Sequence, residues 1–191
     1  MSSNSLTRWT GERSEAIAEI ENAHVMVGGS DRGRRFATQQ INYSYTTILS
    51  AQFQGFCRDL HTECVDQILT LVPSHLHLFL RNEFIWNRSL SRGNPHPGAI
   101  GADFNRLGVD FWNDVLALDS RNHRRRVMLQ ELIDWRNAIA HHDFDRVASD
   151  GNTSLQLVKV RGWLSAVNNL AYQYDRTMYH YLHTLLGRAP W

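Results

Sequence analysis

Residues 35–72 read RFATQQINYSYTTILSAQFQGFCRDLHTECVDQILTLV, and their apolar side chains recur at intervals of three or four positions. That spacing predicts one long amphipathic helix, because an α-helix brings every third or fourth side chain to the same face. Pro73 sets its end, since the residue before a proline avoids helical backbone angles. Gly55 lies within the stripe and predicts close approach by another helix. The stripe consists of Ile41, Tyr45, Ile48, Leu49, Phe53, Phe56, Leu60, Cys64, Ile68 and Leu71.

Further helices are predicted on both sides of this segment. The apolar spacing predicts helices over residues 11–27 and 104–118, and a third that begins at an N-cap, Ser74, and ends at about Leu90. A fourth helix begins at a cap, Ser120, and carries the motif described below. The last runs from Trp163 to a stop at Gly187. Glycines and prolines in residues 91–101 predict a surface loop. The chain has 191 residues and no internal repeat. We therefore expect a single domain, 1–191, built as an all-α bundle of long antiparallel helices.

A small β-hairpin is the one departure from helical structure that the sequence predicts. Asp150-Gly151-Asn152 lies between residues 144–147 and 155–160. Such residues favour a tight turn between two short strands. We expect any hairpin to be an insertion within residues 144–160.

The charge balance bears on the class of partner. The formal net charge is +1, so the protein has no global field that would attract nucleic acid. A nucleic-acid surface would have to be local, and two arginine clusters qualify as candidates. Either cluster can also be a solvated helix start. The first cluster is Arg32, Arg34 and Arg35; the second is Arg121, Arg124, Arg125 and Arg126, with His123 among them.

Cysteine usage and hydropathy predict a cytoplasmic protein that does not cross a membrane. Cys57 and Cys64 are seven positions apart on one predicted helix, which separates them by roughly 10 Å and exceeds the usual reach of a disulfide. They are expected to be buried thiols in a reducing compartment. No apolar run approaches the ~20 residues that span a bilayer, and residues 1–10 lack the apolar core of a signal peptide.

Residues 134–142, DWRNAIAHH, combine side chains suited to phosphodiester chemistry. Histidine transfers protons near neutral pH, and arginine holds phosphate with a planar fork of donors. On a helix with ~100° per residue, Asn137 and His141 are neighbours on one face and Asp134 can orient the imidazole. Arg136 falls near the edge of the apolar face, so it needs either a carboxylate partner or a phosphate. The apolar face consists of Met128, Leu132, Trp135 and Ile139; the polar face consists of Gln130, Asp134, Asn137 and His141.

Metal or cofactor chemistry is not predicted for this segment. Adjacent side chains such as His141 and His142 diverge by ~100° on a helix and cannot easily share an ion, and zinc sites usually present histidines at i and i+4 with a further ligand. The sequence contains no glycine-rich phosphate loop, no Gly-x-Ser-x-Gly elbow and no Cys-x-x-Cys pair.

The arrangement Arg136-Asn137, three intervening residues and His141 resembles the signature of the HEPN superfamily. The resemblance implies a HEPN-like helical bundle that is often dimeric, and many members are metal-independent ribonucleases. It implies catalytic roles for Arg136, Asn137 and His141. His142 would also satisfy the spacing and is an accessory candidate together with Asp134. The resemblance further implies a homodimer in which the motif helices of two copies meet around one groove.

We therefore expect a metal-independent endoribonuclease that cleaves RNA through attack of the 2′-hydroxyl, acting as a toxin or defence-system effector with an antitoxin or system partner. Arg121, Arg124, Arg125 and Arg126 would guide the RNA backbone. One alternative is a non-catalytic module that binds RNA or a nucleotide in the same groove. The other is a helical interaction protein, such as an antitoxin or scaffold, in which Arg136 is structural.

Overall fold

A computed structural model describes residues 2–28, 35–147 and 153–191, and within them the chain is helical, with no strand or sheet. The predicted all-α class is confirmed. None of the helices in these ranges combines the length and apolar character needed to cross a bilayer. The elements are α1 (Asn4–Arg8), a π-helical turn (Trp9–Arg13), α2 (Ser14–Gly28), α3 (Arg35–Leu69), a 3₁₀ turn (Ser74–Leu76), α4 (His77–Ile85), α5 (Ser89–Arg92), α6 (Pro97–Asn105), α7 (Phe111–Leu118), α8 (Asn122–His141) and α9 (Leu157–Leu186).

Helix α3 is the centre of the bundle and packs against α2, α8 and α9. Most of its predicted apolar stripe is fully buried, including Tyr45, Phe53 and Leu60. The helix ends at Leu69, and the next three backbone N–H groups bond to carbonyls three residues earlier, which tightens the chain before Pro73. Leu71 is consequently exposed.

Gly55 provides space for a side chain and not for another helix backbone. A Cβ at this position would lie 2.5 Å from Nη1 of Arg13. The Arg13 guanidinium donates to Gln52 and Asp59 of α3, the helix that contains Gly55, at 2.7 and 2.8 Å. The predicted close approach is therefore made by an arginine from the π-helical turn.

The N-terminal helix differs from its prediction. Helical structure begins at Asn4, well before residue 11, and the backbone at Gly11 (φ −100°, ψ −106°) interrupts it. The Ser3 hydroxyl caps the start by accepting from the N–H of Leu6 at 2.9 Å. Periodicity alone does not reveal this cap. The N–H of Ser3 donates to Asp175 of α9 at 3.1 Å, which ties the N-terminus to the bundle.

The predicted long loop over residues 91–101 is mostly wrong. Pro97 occupies the first turn of α6, where its missing N–H costs nothing, and the ring of His96 accepts from the N–H of Ala99 at 3.2 Å. Within residues 91–101, only 93–96 lack helical structure. The predicted cap at Ser74 is also wrong, because that residue opens a 3₁₀ turn and caps no helix with its side chain.

The predicted hairpin does not form in the described part of the chain. Residues 144–147 make a turn, 153–156 have no regular structure, and 157–160 are the first turn of α9. The proposed turn, 150–152, lies outside the described residues. At the other end of α9, Gly187 (φ 67°) donates to the carbonyl of His183 at 3.0 Å, which confirms the predicted stop.

Helices α8 and α9 are joined by two tryptophans and a salt bridge. The rings of Trp135 and Trp163 lie 6.3 Å apart, and the indole N–H of Trp163 donates to Glu131 at 2.8 Å. Lys159 pairs with Glu131 at 2.8 Å and lies over both rings, at 5.1 and 5.5 Å. This packing turns the opposite face of α8 towards solvent.

Both cysteines are buried free thiols, as predicted. Cys57 and Cys64 are completely enclosed by the core. Burial raises the pKa of each thiol well above its ordinary value, so both remain protonated and unreactive.

Candidate functional site

The two faces of α8 are arranged as the sequence predicts. Leu132 and Trp135 are buried, and Met128 and Ile139 are half-buried against the core. On the opposite face Gln130, Asp134 and His141 are exposed, and Asn137 is half-exposed. The motif therefore presents its polar side chains to solvent.

Helix α8 ends in an unusual backbone conformation. His142 adopts left-handed angles (φ 53°, ψ 36°), which a residue with a side chain seldom does. The N–H groups of His142 and Asp143 bond to the carbonyls of Ile139 and Ala138, at 3.4 and 3.0 Å. These bonds close the helix in the manner of an αL cap and fix the direction of the side chains that follow.

A solvent-open groove of about 460 Å³ lies along the polar face of α8 at this end. We call it the motif groove. Its lining mixes amides, carboxylates, an imidazole and one guanidinium. The lining residues are Asn94, Asp134, Asn137, Ala138, His141, Asp143 and Arg146.

Asn137 is the hydrogen-bonding centre of the motif groove. Its Oδ1 accepts from Nδ2 of Asn94 at 2.5 Å and from Nη1 of Arg136 at 3.3 Å. The structure thus places Arg136 and Asn137 in contact and adds Asn94, which sequence reasoning missed. Asn94 is 43 positions away along the chain, on the short stretch before α6, so no local pattern indicates its approach.

Arg136 is half-buried, and no carboxylate of the described residues pairs with it. Its guanidinium donates to Oδ1 of Asn137, which lines the motif groove, although Arg136 is not itself among the lining residues. A half-buried guanidinium without a carboxylate retains most of its capacity to bind an anion.

His141 is exposed in the motif groove and makes no hydrogen bond to another described residue. Asp134, predicted to orient the imidazole, instead accepts from Nε2 of Gln130 at 2.8 Å. His142 is not in the motif groove; its ring lies edge-on to Phe144, 5.7 Å away. The roles predicted for Asp134 and His142 remain predictions.

Two arginines of the 121–126 run hold the start of α8 in place. Arg125 is largely buried and donates to Asp119, Asn122 and Asn169 at 2.8, 2.7 and 3.0 Å. Arg121 pairs with Asp119 at 2.9 Å. Hydrogen bonds from Arg121 and Arg125 hold the pKa of Asp119 well below its ordinary value. Asp119 therefore takes the anchoring role that was predicted for Ser120.

The other two arginines of the run line a groove of about 590 Å³ on the same exposed face of α8. Arg124 and Arg126 lie there with Gln130, and the guanidinium of Arg126 stacks over Trp112 at 4.7 Å. We call it the upstream groove, because the Gln130–Asp134 hydrogen bond connects its lining to that of the motif groove. Pro97 and Gly98 form its opposite wall.

Arg32 and Arg34 of the other arginine cluster lie outside the described residues, as does the side chain of Arg35. Across the residues that are described, no three His, Cys, Asp or Glu side chains converge as a metal site requires.

No protein-family model matches the sequence, and no curated protein or solved structure is significantly similar to it.

Proposed function

We propose that this protein is a metal-independent endoribonuclease of the HEPN type, acting as a toxin or defence-system effector. The observation that carries the proposal is the motif groove. It places His141, a proton-transfer group, beside Asn137, whose side chain contacts a guanidinium that has no carboxylate partner among the described residues.

The chemistry requires a base, an acid and a cation. His141 removes the proton from the ribose 2′-hydroxyl, the 2′-oxygen attacks phosphorus, and the bond to the 5′-oxygen breaks as that oxygen takes up a proton. Arg136 stabilises the negative charge on the pentavalent phosphorus. The products carry a 2′,3′-cyclic phosphate and a 5′-hydroxyl. DNA is not cleaved because it lacks the nucleophile.

A homodimer would supply the second proton-transfer group. His141 is the one histidine in the described lining of the motif groove. A two-fold axis beside α8 would bring a second His141 and a second Arg136 to the same cleft. One imidazole would then act as the base while the other, or a water molecule, protonates the leaving oxygen.

The upstream groove would guide the RNA backbone. Arg124 is exposed and Arg126 lies over an indole with no described carboxylate partner, so both guanidinium groups can bind phosphate. The reduced, buried thiols fit action in the cytoplasm, where an antitoxin or defence-system partner would control the enzyme.

Cleavage of single-stranded RNA in EDTA tests the proposal. We expect His141→Ala to lower the rate by roughly 10²–10⁴-fold, the usual contribution of a general base. His75→Ala is the matched control, because this histidine is exposed on the 3₁₀ turn after α3 and does not line the motif groove. Equal cleavage by wild type and His141→Ala would refute the proposal.

A non-catalytic RNA- or nucleotide-binding module is the second candidate. The observation in its favour is that His141 has no described hydrogen-bond partner to set its tautomer. It predicts RNA binding with no cleavage that depends on His141. An interaction protein in which Arg136 is structural is disfavoured, since that arginine forms no described ion pair.

A further inference from the structure

A second groove, of about 410 Å³, lies on the other side of the end of α8. We call it the aromatic groove. Ile48 and Ile139 contribute its apolar part. The remaining lining combines aromatic rings with neutral polar groups: Gln40, Tyr43, Ser44, Thr47, His142 and Phe144.

The left-handed conformation of His142 separates the two grooves. Side chains 141 and 143 line the motif groove, whereas 142 and 144 line the aromatic groove. Consecutive Cα atoms are about 3.8 Å apart, so the two grooves lie on opposite sides of the same few residues. A ligand with two chemically different parts can therefore occupy both.

The aromatic rings of this groove are held in place. Phe144 stacks on Tyr43 with centroids 5.7 Å apart and planes at 25°, while His142 lies edge-on to Phe144. The Tyr43 hydroxyl donates to the carbonyl of Thr153 at 2.7 Å, which fixes the orientation of the ring. A wall of this kind suits a flat aromatic ligand.

The polar groups at the rim suit the edge of such a ligand. The amide of Gln40 and the hydroxyl of Ser44 are exposed and make no described hydrogen bond. Each can donate and accept. Among the described residues, no carboxylate, lysine or arginine lines the aromatic groove, whereas the described lining of the motif groove has two carboxylates and one guanidinium.

From this division we infer that the aromatic groove binds the base of the nucleotide whose phosphate lies in the motif groove. This inference rests on the proposed function and extends it by defining the substrate: a nucleotide that is unpaired, because a base that fills the groove cannot also lie in a duplex. Bases in single strands are recognised in this way, by stacking on aromatic side chains with hydrogen bonds to their edges.

Calorimetric titration of the protein with the four nucleoside 5′-monophosphates and with ribose 5-phosphate tests the inference. The two kinds of ligand differ only in the base. We expect at least one nucleotide to bind about tenfold more tightly than ribose 5-phosphate, in keeping with the effect of stacking one base. If no nucleotide binds, or if ribose 5-phosphate binds as tightly, the inference is wrong.

Substitutions in the aromatic groove test whether the tighter binding of the nucleotide arises there. Ser44→Phe, from an exposed helical position, fills the aromatic groove and should abolish the advantage of the nucleotide while leaving the binding of ribose 5-phosphate unchanged. Ser165→Phe, at an exposed position of α9, is the matched control and should retain the advantage. Gln40→Ala, also exposed, should weaken nucleotide binding severalfold with unchanged circular dichroism. An advantage that survives in both groove variants would refute the inference.

The result is separable from that of the nuclease proposal. Base-dependent binding without cleavage that depends on His141 would sustain the inference and defeat the nuclease. Such cleavage without a base preference would do the reverse.

Discussion

Arginine side chains in the first turns of α8 divide into two kinds by what their guanidinium groups contact. Arg125 donates to three partners, which are Asp119 directly after α7, Asn122 of α8 and Asn169 of α9. Arg124 is exposed in the upstream groove. The two are adjacent in sequence and chemically identical. They differ only in position on the helix.

We predict that Arg125→Ala lowers the free energy of unfolding by about 1.5–3 kcal/mol, because hydrogen bonds to a charged group are lost and their partners remain partly buried. Arg124→Ala should leave stability unchanged and weaken RNA binding, with a salt dependence reduced by about one phosphate contact. Urea unfolding and binding at several salt concentrations measure the two effects. Equal loss of stability in both variants would contradict the distinction.

His61 predicts a specific pH dependence of stability. The ring is fully buried, accepts at Nδ1 from Arg88 at 3.3 Å, and contacts the carbonyl of Asp103 through Nε2 at 3.1 Å. Burial, and then the charge of Arg88, lower the pKa of His61 from 6.5 to about 4. The unfolded chain therefore binds the proton more readily between these two values.

Stability should consequently be complete above pH 6.5 and fall as the pH drops towards 4, by a total on the order of 3 kcal/mol. Urea unfolding between pH 4.5 and 7 measures this slope. His61→Gln, which cannot titrate, should be less stable at pH 7 and lose most of the slope. A slope of the same size in His61→Gln would show that other titratable groups cause the pH dependence of stability.

At the scale of the helix, α3, α8 and α9 were predictable because each buries a continuous stripe against the others. Among the short helices, α4 and α7 lie within predicted helical segments, whereas α6 begins in the stretch predicted as a loop, because Pro97 and its glycines hide the helical pattern. The motif residues lie on the polar face that the spacing predicts. Asn94 joins them only because α6 packs on α8, which is a long-range contact.

The end of α8 should become more stable when His142 is replaced by glycine. Left-handed angles cost roughly 1–2 kcal/mol for a residue with a Cβ, and the greater freedom of unfolded glycine offsets about half of that. His142→Gly should therefore raise the free energy of unfolding by about 0.5–1 kcal/mol, measured by urea unfolding.

Ala140→Gly is the control for this change, since residue 140 is exposed and helical, and glycine there should destabilise by about 1 kcal/mol. Destabilisation by both changes would show that the His142 ring contributes more than its backbone strain costs. RNA cleavage should survive His142→Gly if His141 is the base. Loss of cleavage in this variant would instead assign the catalytic role to His142, which is one residue further from Arg136.

Across the whole molecule, the exposed face of α8 carries the upstream groove and the motif groove in succession, with residues 94–98 along one side. Asn137 and His141 line the motif groove at one end of this face, and Arg136 contacts Asn137 there. Asn94 and Arg146 complete the lining, and neither belongs to a sequence pattern.

If two copies share one cleft, cleavage must depend on their association. We predict that the rate per protomer falls when the protein is diluted, and that its midpoint coincides with the transition from dimer to monomer measured by light scattering. A monomer at every concentration with a constant rate per protomer would eliminate the shared cleft and leave water as the acid.

Lys159 is the chain's single lysine, and its amine is accessible although it lies over Trp135 and Trp163. Amine-selective dyes should therefore label one side chain, together with the chain terminus. Trp135 in turn contacts Phe144, a lining residue of the aromatic groove, edge-on at 6.3 Å. A fluorophore on Lys159 would therefore be connected to the aromatic groove through the rings of Trp135 and Phe144. Its emission would report occupancy of that groove without any engineered cysteine.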